Sequence, residues 1–325
     1  MTKLTIAYSD DYLNWKLGSG DGKHPTNAER ARLATNILVE EYGDAVDVIA
    51  PTVMPYDRAE LETIHDADYV SEVVDEGLAH DWVGVNKVNG YTALQMFAGT
   101  ARLTEKIIAG EIKVGFNPQG AKHHAQYGWS EGFCVFNDMA WSAKKFVSEG
   151  LRPLYIDWDV NAGDGVQNLL ANTDIPTLSI HGSGIYPLHN DTYSNEKYGE
   201  THTHHNFDED WYNWNLEQGS GDAEFARVLS EVEEVVASYK PNVILLAIGA
   251  DGHELDNWGL KYTYAGFHHA GSVVRGLAEK YSEGRVLIGG AGGYRPYDAT
   301  PLSWANSVAG VLGEKRIHSK NIHFQ

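Results

Sequence analysis

The segment Asp157-Trp158-Asp159-Val160-Asn161-Ala162-Gly163-Asp164-Gly165 places three carboxylates and an amide around a glycine turn. The apolar Leu154-Tyr155-Ile156 runs straight into it, so the acids stand where a strand ends. Acids clustered at the carboxyl end of a strand suit a metal site or a proton-transfer site. The same acids also serve turns and caps, because Asp is common before Gly. Against that use stands their place in and beside an apolar strand end, where an unpaired carboxylate is costly to bury. Asn161 occupies the position at which a histidine would make a conventional zinc centre.

Three other clusters bear on the same chemistry. Asp251 follows the apolar run 242–248, and with Asp159 it is a candidate metal ligand. Two carboxylates from different strands leave coordination positions open for water and substrate. His123 and His124 are adjacent, and an imidazole pair beside acids can move protons. Each ring needs a carboxylate to orient it, and Asp157 and Asp164 are available. Taken alone, a His-His pair is equally at home in a structural or surface role. Gly289-Gly290-Ala291-Gly292-Gly293-Tyr294 fits neither the dinucleotide nor the phosphate-loop spacing. Gly292 and Gly293 belong to backbone that approaches a ligand closely, and Tyr294 reaches the pocket rim, where a phenol can donate to a developing oxyanion. Gly18–Lys23 is spaced wrongly for a phosphate loop. His202, His204 and His205 form a second metal site or a solvated loop; no acid or cysteine at ligand spacing supports the metal.

To bring these groups together the chain needs a sheet. Strand-like segments fall near 3–7, 113–117, 153–157, 176–180, 242–248 and 285–289, with helical patterns near 26–42, 92–109, 137–149, 222–239, 264–282 and 302–313. The run Asn-Val-Ile-Leu-Leu-Ala-Ile at 242–248 has no polar alternation, as for a strand covered on both faces. The alternation predicts an α/β fold with a mainly parallel sheet and helices on both faces. The four clusters each follow a predicted strand, which points to one shared pocket at the carboxyl edge. The irregular 182–215 reads as a long loop over one end of the sheet. No linker or internal repeat divides the chain, so one domain over 1–325 is expected.

A chain of 325 residues buries a large core. No apolar run reaches the roughly 18 residues that span a bilayer, and the N-terminus lacks a signal peptide's apolar core. A cytoplasmic protein is expected. The single cysteine, Cys134, forms no internal disulfide and fits a reducing compartment. It lies in the apolar Gly-Phe-Cys-Val-Phe and reads as a buried small hydrophobe rather than a nucleophile. A formal net charge of −20 disfavours nucleic acid and anionic membranes. It serves solubility, and it also suits a cationic amine.

Assembled in order, these motifs resemble those of the histone deacetylase family, including the bacterial acetoin-utilisation proteins and acetylpolyamine amidohydrolases. The resemblance runs through His24-Pro25-Thr26-Asn27-Ala28-Glu29-Arg30, Lys122-His123-His124-Ala125, Ser130–Asp138, 157–165, Ser179-Ile180-His181, Gly249–His253 and Gly289–Tyr294. It implies the arginase/deacetylase fold and metal-dependent hydrolysis of an acylated amine, acetyl-lysine or acetylpolyamine in class. The metal, Zn2+ or Fe2+, polarises the acetamide carbonyl and activates water. By resemblance His124, paired with Asp164, acts as general base and then acid, and His123, paired with Asp157, assists electrostatically. Tyr294 stabilises the oxyanion. Phe133 and Tyr186 wall a narrow channel, Arg30 lies near a cavity below the metal, and a structural K+ sits near Asp157, Asp159, Ser179 and Ile180.

Departures from the family pattern bear on activity and substrate. The family's metal-binding histidine is Asn161 here, and an amide oxygen is a poorer zinc ligand than imidazole. Asn161 ligates through its oxygen, or another group completes the shell, or the site is disabled, naturally or by deliberate substitution. The catalytically silent alternative is an acyl-amine-binding protein on the same fold. An arginase-like two-metal site needs Asp and His ligands that 157–165 does not supply. Residues 83–90 contain no clear rim carboxylate to grip a peptide backbone, which weakens the case for a protein substrate and leaves small acylated amines at least as good a fit. The stretch Tyr186-Pro187-Leu188-His189-Asn190 lacks the usual Gly-Thr-Gly. Oligomeric state is not legible.

Overall fold

The computed structural model describes residues 2–17, 26–187, 204–205 and 211–318. Within them lie strands β1 (Leu4–Ala7), β2 (Val46–Ile49), β3 (Val114–Asn117), β4 (Pro153–Asp157), β5 (Thr177–Gly182), β6 (His204–His205), β7 (Trp211–Leu216), β8 (Val243–Ile248) and β9 (Val286–Gly290). The helices are α1 (Glu29–Tyr42), α2 (Asp57–Leu61), α3 (Ala67–Ser71), α4 (Lys87–Ile108), α5 (Asp138–Ser148), α6 (Asp164–Leu170), α7 (Asp222–Tyr239), α8 (Tyr264–Tyr281) and α9 (Ala299–Leu312). The strands form one sheet in the order β2-β1-β3-β9-β8-β4-β5-β7-β6. All neighbours pair in parallel except the edge strand β6, which runs antiparallel to β7.

Period-two alternation divides the strands between two cores. Leu154, Ile156, Ile244, Leu246, Ile248, Val286 and Ile288 pack into the core that contains α1, α7, α8 and α9. Tyr155, Val243, Leu245, Ala247 and Leu287 face the opposite core, with α4, α5 and α6. That double cover explains the uninterrupted apolar runs. The six predicted strands and six predicted helices are all present. α4 starts earlier than 92, because Asn86 caps it by accepting from Asn89 N, and the Asn-Gly pair at 89–90 hid its first turn. α9 starts at Ala299 with Asp298 as its cap; Pro301 is tolerated inside the first turn.

The loop predicted for 182–215 is corrected in part. β7 is a full sheet strand paired along its length with β5. Its Trp and Tyr residues favour strands, but the interleaved Asn213 and Asn215 masked them. Asn213 is fully buried and accepts from Gln167 Nε2 at 3.0 Å. Backbone of His204 and His205 pairs with Asn213 and Tyr212, whereas His202, Leu188, His189 and Asn190 lie outside the described residues, as do Gly18–Lys23, His24 and Pro25.

The loop from 118 to 137, which carries His123 and His124, is held by buried polar struts. Asp138 accepts from Ala121 N and Lys122 N at 3.0 and 2.8 Å, and from Thr100 Oγ1 at 2.5 Å. His65, fully buried, donates from Nδ1 to Gln126 O at 2.8 Å and accepts Asn137 N on Nε2 at 2.9 Å. Burial holds this imidazole down at about 4, against the pull of its backbone acceptors.

His65→Ala strands a buried carbonyl and a buried N–H, which should cost about 2–4 kcal/mol near pH 7.5. The native ring stays neutral down to about pH 4, whereas the unfolded ring takes a proton near 6.5. Wild-type stability therefore falls as pH drops through that window, and the variant lacks this loss. The gap between the two should narrow by about 2–3 kcal/mol on going to pH 4.5. Urea denaturation at both pH values measures it; a constant gap contradicts the neutral-strut assignment.

Candidate functional site

Parallel pairing brings the carboxyl ends of β3, β9, β8 and β4 side by side. Asp157 stands opposite Ala247 and Ser179, and Ala247 opposite Gly289. Loops leaving these ends therefore share one space. Asp157 closes β4, Asp159 follows two residues later, and Asp164 opens α6, where a negative charge suits the helix N-terminus. Asp251 follows β8, and Gly292, Gly293 and Tyr294 follow β9.

Both imidazoles stand on buried carboxylates. His123 Nδ1 donates to Asp157 Oδ2 at 2.7 Å and His124 Nδ1 to Asp164 Oδ1 at 2.6 Å. The ring centroids lie 4.0 Å apart. Burial works against charge on His123, but Asp157, then Asp159, outweigh it and hold the ring up at about 9. Burial likewise opposes charge on Asp157, and His123 overrides it, so that carboxyl sits below its usual range. Two residues that sequence reading missed complete the pairs. Tyr155 Oη donates to Asp157 Oδ2 at 2.6 Å, and Gln126 Nε2 donates to Asp164 Oδ2 at 2.8 Å. Tyr155 was findable in principle: two residues before Asp157 on one strand, it shares a face with it.

Asp159 and Asp251 form the second half of the site. Asp159 Oδ1 accepts Asn161 N at 3.0 Å and Oδ2 accepts Gly292 N at 2.5 Å. Asp251 Oδ1 accepts Val160 N at 3.0 Å, whereas its buried Oδ2 has no hydrogen-bond partner among the described residues. A Cβ on Gly292 would lie 2.2 Å from Asp251 Oδ2 and 2.5 Å from Asp159 Oδ2, so both oxygens converge on the same glycine. Burial and then the charge of Asp159 push the Asp251 carboxyl well above the usual range. Two buried carboxylates in that relation call for a proton or a cation between them. Among the described residues no three His, Cys, Asp or Glu side chains are grouped to hold an ion. Asn161 lies two residues after Asp159, and its Nδ2 donates to Tyr186 O at 2.7 Å, which leaves the amide oxygen as its other polar end. Asp159, Asp251 and the Asn161 amide thus fit a divalent cation through oxygen.

Aromatic groups border this space. Tyr186 meets His124 edge-on at 5.0 Å. Phe133, at a positive φ of 67°, donates its N–H to Asp81 Oδ1 at 3.3 Å. Asp81 lies just ahead of the 83–90 window, and its Oδ2 is buried without a hydrogen-bond partner among the described residues; sequence reading passed it over. Tyr294 N donates to Asp256 Oδ2 at 2.8 Å, and its ring lies 5.6 Å from Trp258. Burial, then Asp251 and Asp159, push the Tyr294 phenol well above its ordinary range, so it remains a donor. Arg30, buried over the Trp304 ring, donates to Gly293 O at 2.6 Å. Cys134 is buried and pushed up to about 12 by burial, the small hydrophobe expected.

The histone deacetylase domain profile matches residues 24–311. The chain belongs to the histone deacetylase family. It is similar to the acetoin utilization protein AcuC of Staphylococcus aureus strain Mu50, at 30% identity over 96% of this chain and 82% of that protein. It is also similar to AcuC of Bacillus subtilis strain 168, at 28% identity over 94% and 81%. The crystal structure of the HDA15 HD domain superposes with a TM-score of 0.79 at 21% identity, covering 98% of this chain and 91% of that one. This last likeness bears on the fold, which is the arginase/deacetylase fold. Family membership supports deacetylase or amidohydrolase chemistry. No described helix is long and apolar enough to cross a membrane.

Gly165 is where α6 meets the histidine loop of this family member. Val166 N donates to His123 O at 3.1 Å. A Cβ on Gly165 would lie 2.6 Å from the carbonyl oxygens of both Ala125 and His123, backbone atoms that cannot swing aside. Gly165→Ala should therefore cost about 1–3 kcal/mol and separate the His124–Asp164 pair. Urea denaturation reads the first effect, and the NMR shift of the His124 ring proton held by Asp164 reads the second. An unchanged ring-proton signal would contradict the packing argument.

Proposed function

We propose that the protein is a metal-dependent amidohydrolase that removes an acetyl or related acyl group from an amine, with acetyl-lysine and acetylpolyamines as the substrate class. The observation that carries this reading is the pair of adjacent imidazoles, each on its own buried carboxylate, next to a carboxylate pair that calls for a proton or a cation. A divalent ion, zinc or iron by family resemblance, would be held by Asp159, Asp251 and Asn161 and would supply Lewis acidity toward the acyl carbonyl and water.

The remaining steps belong to the protein's own side chains. His124, oriented by Asp164, takes a proton from the attacking water and later delivers it to the departing nitrogen. The C–N bond breaks, leaving a carboxylic acid and a free amine. His123, fixed by Asp157, assists electrostatically. The Tyr294 phenol donates to the oxyanion that develops on the carbonyl. Phe133 and Tyr186 flank the aliphatic stem, and Gly292 and Gly293 admit the acyl group closely. Asp81 beside Phe133 and the net charge of −20 favour a cationic amine. A structural potassium ion near Asp157, Asp159, Ser179 and Ile180 remains part of this reading, as does a single domain in the cytoplasm, which the buried unpaired Cys134 supports. Asn161 favours a second reading, a silent acyl-amine-binding protein.

An assay of acetyl-lysine peptides and N-acetylated diamines with added divalent ions tests this. Turnover is expected. His124→Ala should lower kcat/KM by about 10²–10⁴, and Tyr294→Phe should lower kcat by about 10²–10³ with little change in KM. Binding of acyl amines without turnover under any ion would overturn the hydrolase in favour of the silent binder.

A further inference from the structure

We infer that the cation is held by oxygen alone, through the Asp159 and Asp251 carboxylates and the Asn161 amide oxygen, and that this narrows the site's preference for zinc over hard ions such as Mn2+. The inference rests on the reading that this site holds a divalent cation.

Three features of the geometry support it. Asp251 is fully buried, yet its Oδ2 has no hydrogen-bond partner among the described residues. Asp159 Oδ2 converges with it on Gly292, where a Cβ would collide with both oxygens and drive them apart. Asn161, 3% exposed, follows Asp159 by two residues in the same turn, which its backbone N–H ties to Asp159 Oδ1 at 3.0 Å. Its orientation is decided by Tyr186. A backbone carbonyl only accepts, so the amide nitrogen must face Tyr186 O at 2.7 Å and the amide oxygen is the end left to act as a donor. The nitrogen that zinc favours is therefore replaced by a neutral oxygen, while the two carboxylates still balance a dication.

Carboxylate and carbonyl donors suit magnesium and manganese, and imidazole suits zinc. The intrinsic order still puts zinc above manganese, so the signature is a narrowed gap rather than a reversal. Asn161→His should reopen it.

The test uses the full chain stripped with a chelator and titrated calorimetrically with Zn2+ and with Mn2+. Asn161→His is expected to tighten zinc by about 10–100-fold or more and to move manganese by much less. Asn161→Asp, which keeps an oxygen, should tighten both ions by similar factors. Asp251→Asn should abolish binding of both. Circular dichroism of the metal-free variants checks folding, and the two position-161 variants serve independently if either fails. Equal shifts for zinc and manganese in Asn161→His, or no shift in either position-161 variant, overturn the donor set. Unaltered binding in Asp251→Asn overturns it as well. Turnover is scored separately: the expected metal shifts without turnover under any ion leave the donor set standing and overturn the hydrolase.

Discussion

Four carboxylates, Asp157, Asp159, Asp164 and Asp251, lie buried at one end of a parallel sheet, and this concentration of negative charge governs what surrounds it. An isolated buried carboxylate costs several kcal/mol even after the protein relaxes around it, so each needs compensation. Asp157 has His123 and the Tyr155 hydroxyl; Asp164 has His124, Gln126 and the N-terminus of α6. Asp159 has two backbone N–H groups. Asp251 has one, and one oxygen is left over. The uncompensated part of the cluster is therefore localised to a single atom beside Asp159, and that asymmetry sets the Asp159–Asp251 pair apart from the two acids that carry imidazoles.

Apart from Tyr155 on β4, the partners of these acids come from loops, which no sheet hydrogen bonds hold. Rigidity is supplied by buried polar struts instead. Asp138 clamps the backbone at 121–122, His65 bridges the two ends of the 126–137 stretch, and Arg30 reaches from α1 to Gly293 O. Each strut has at least one partner on the backbone, so what it fixes is the path of the loop rather than one rotamer. Placement of the two imidazoles to within a fraction of an ångström depends on such groups, because buried polar networks hold a unique arrangement only when their members are satisfied.

Much of the fold was legible because double burial writes apolar runs into strands such as 243–248, and amphipathic periodicity into helices such as 222–239. Asn213 and Asn215 defeated that logic in β7, where Asn213 is buried through its bond from Gln167. α6 was hidden because Asp164 and Gly165 carry turn composition while serving as a helix start. The chemical residue types of the site were visible as clusters after strands. Their pairing was not readable from spacing, since His123 and Asp157 are 34 positions apart and only parallel register brings them together. Asp81 and Gln126 carry no composition signal and emerge from contacts alone, whereas Tyr155 shares a strand face with Asp157 and could have been read from the period of two.

Asn161 is better understood through hydrogen bonding than through its name as a departure. A neutral imidazole offers one lone pair and one N–H. A primary amide offers an acceptor oxygen and an N–H in a side chain of similar reach. With its N–H on the Tyr186 carbonyl, Asn161 keeps its acceptor oxygen as the remaining end, and an imidazole likewise carries one donor and one acceptor. Asn161 thus ties position 161 to the Tyr186 backbone, and in the proposed centre its donor atom is an oxygen where imidazole would offer a nitrogen. Aliphatic residues would lose both connections, and a carboxylate would set its own charge against the Tyr186 carbonyl. The architecture around position 161 is therefore compatible with a working centre of altered ion preference, and the loss of the histidine does not by itself dismantle the site.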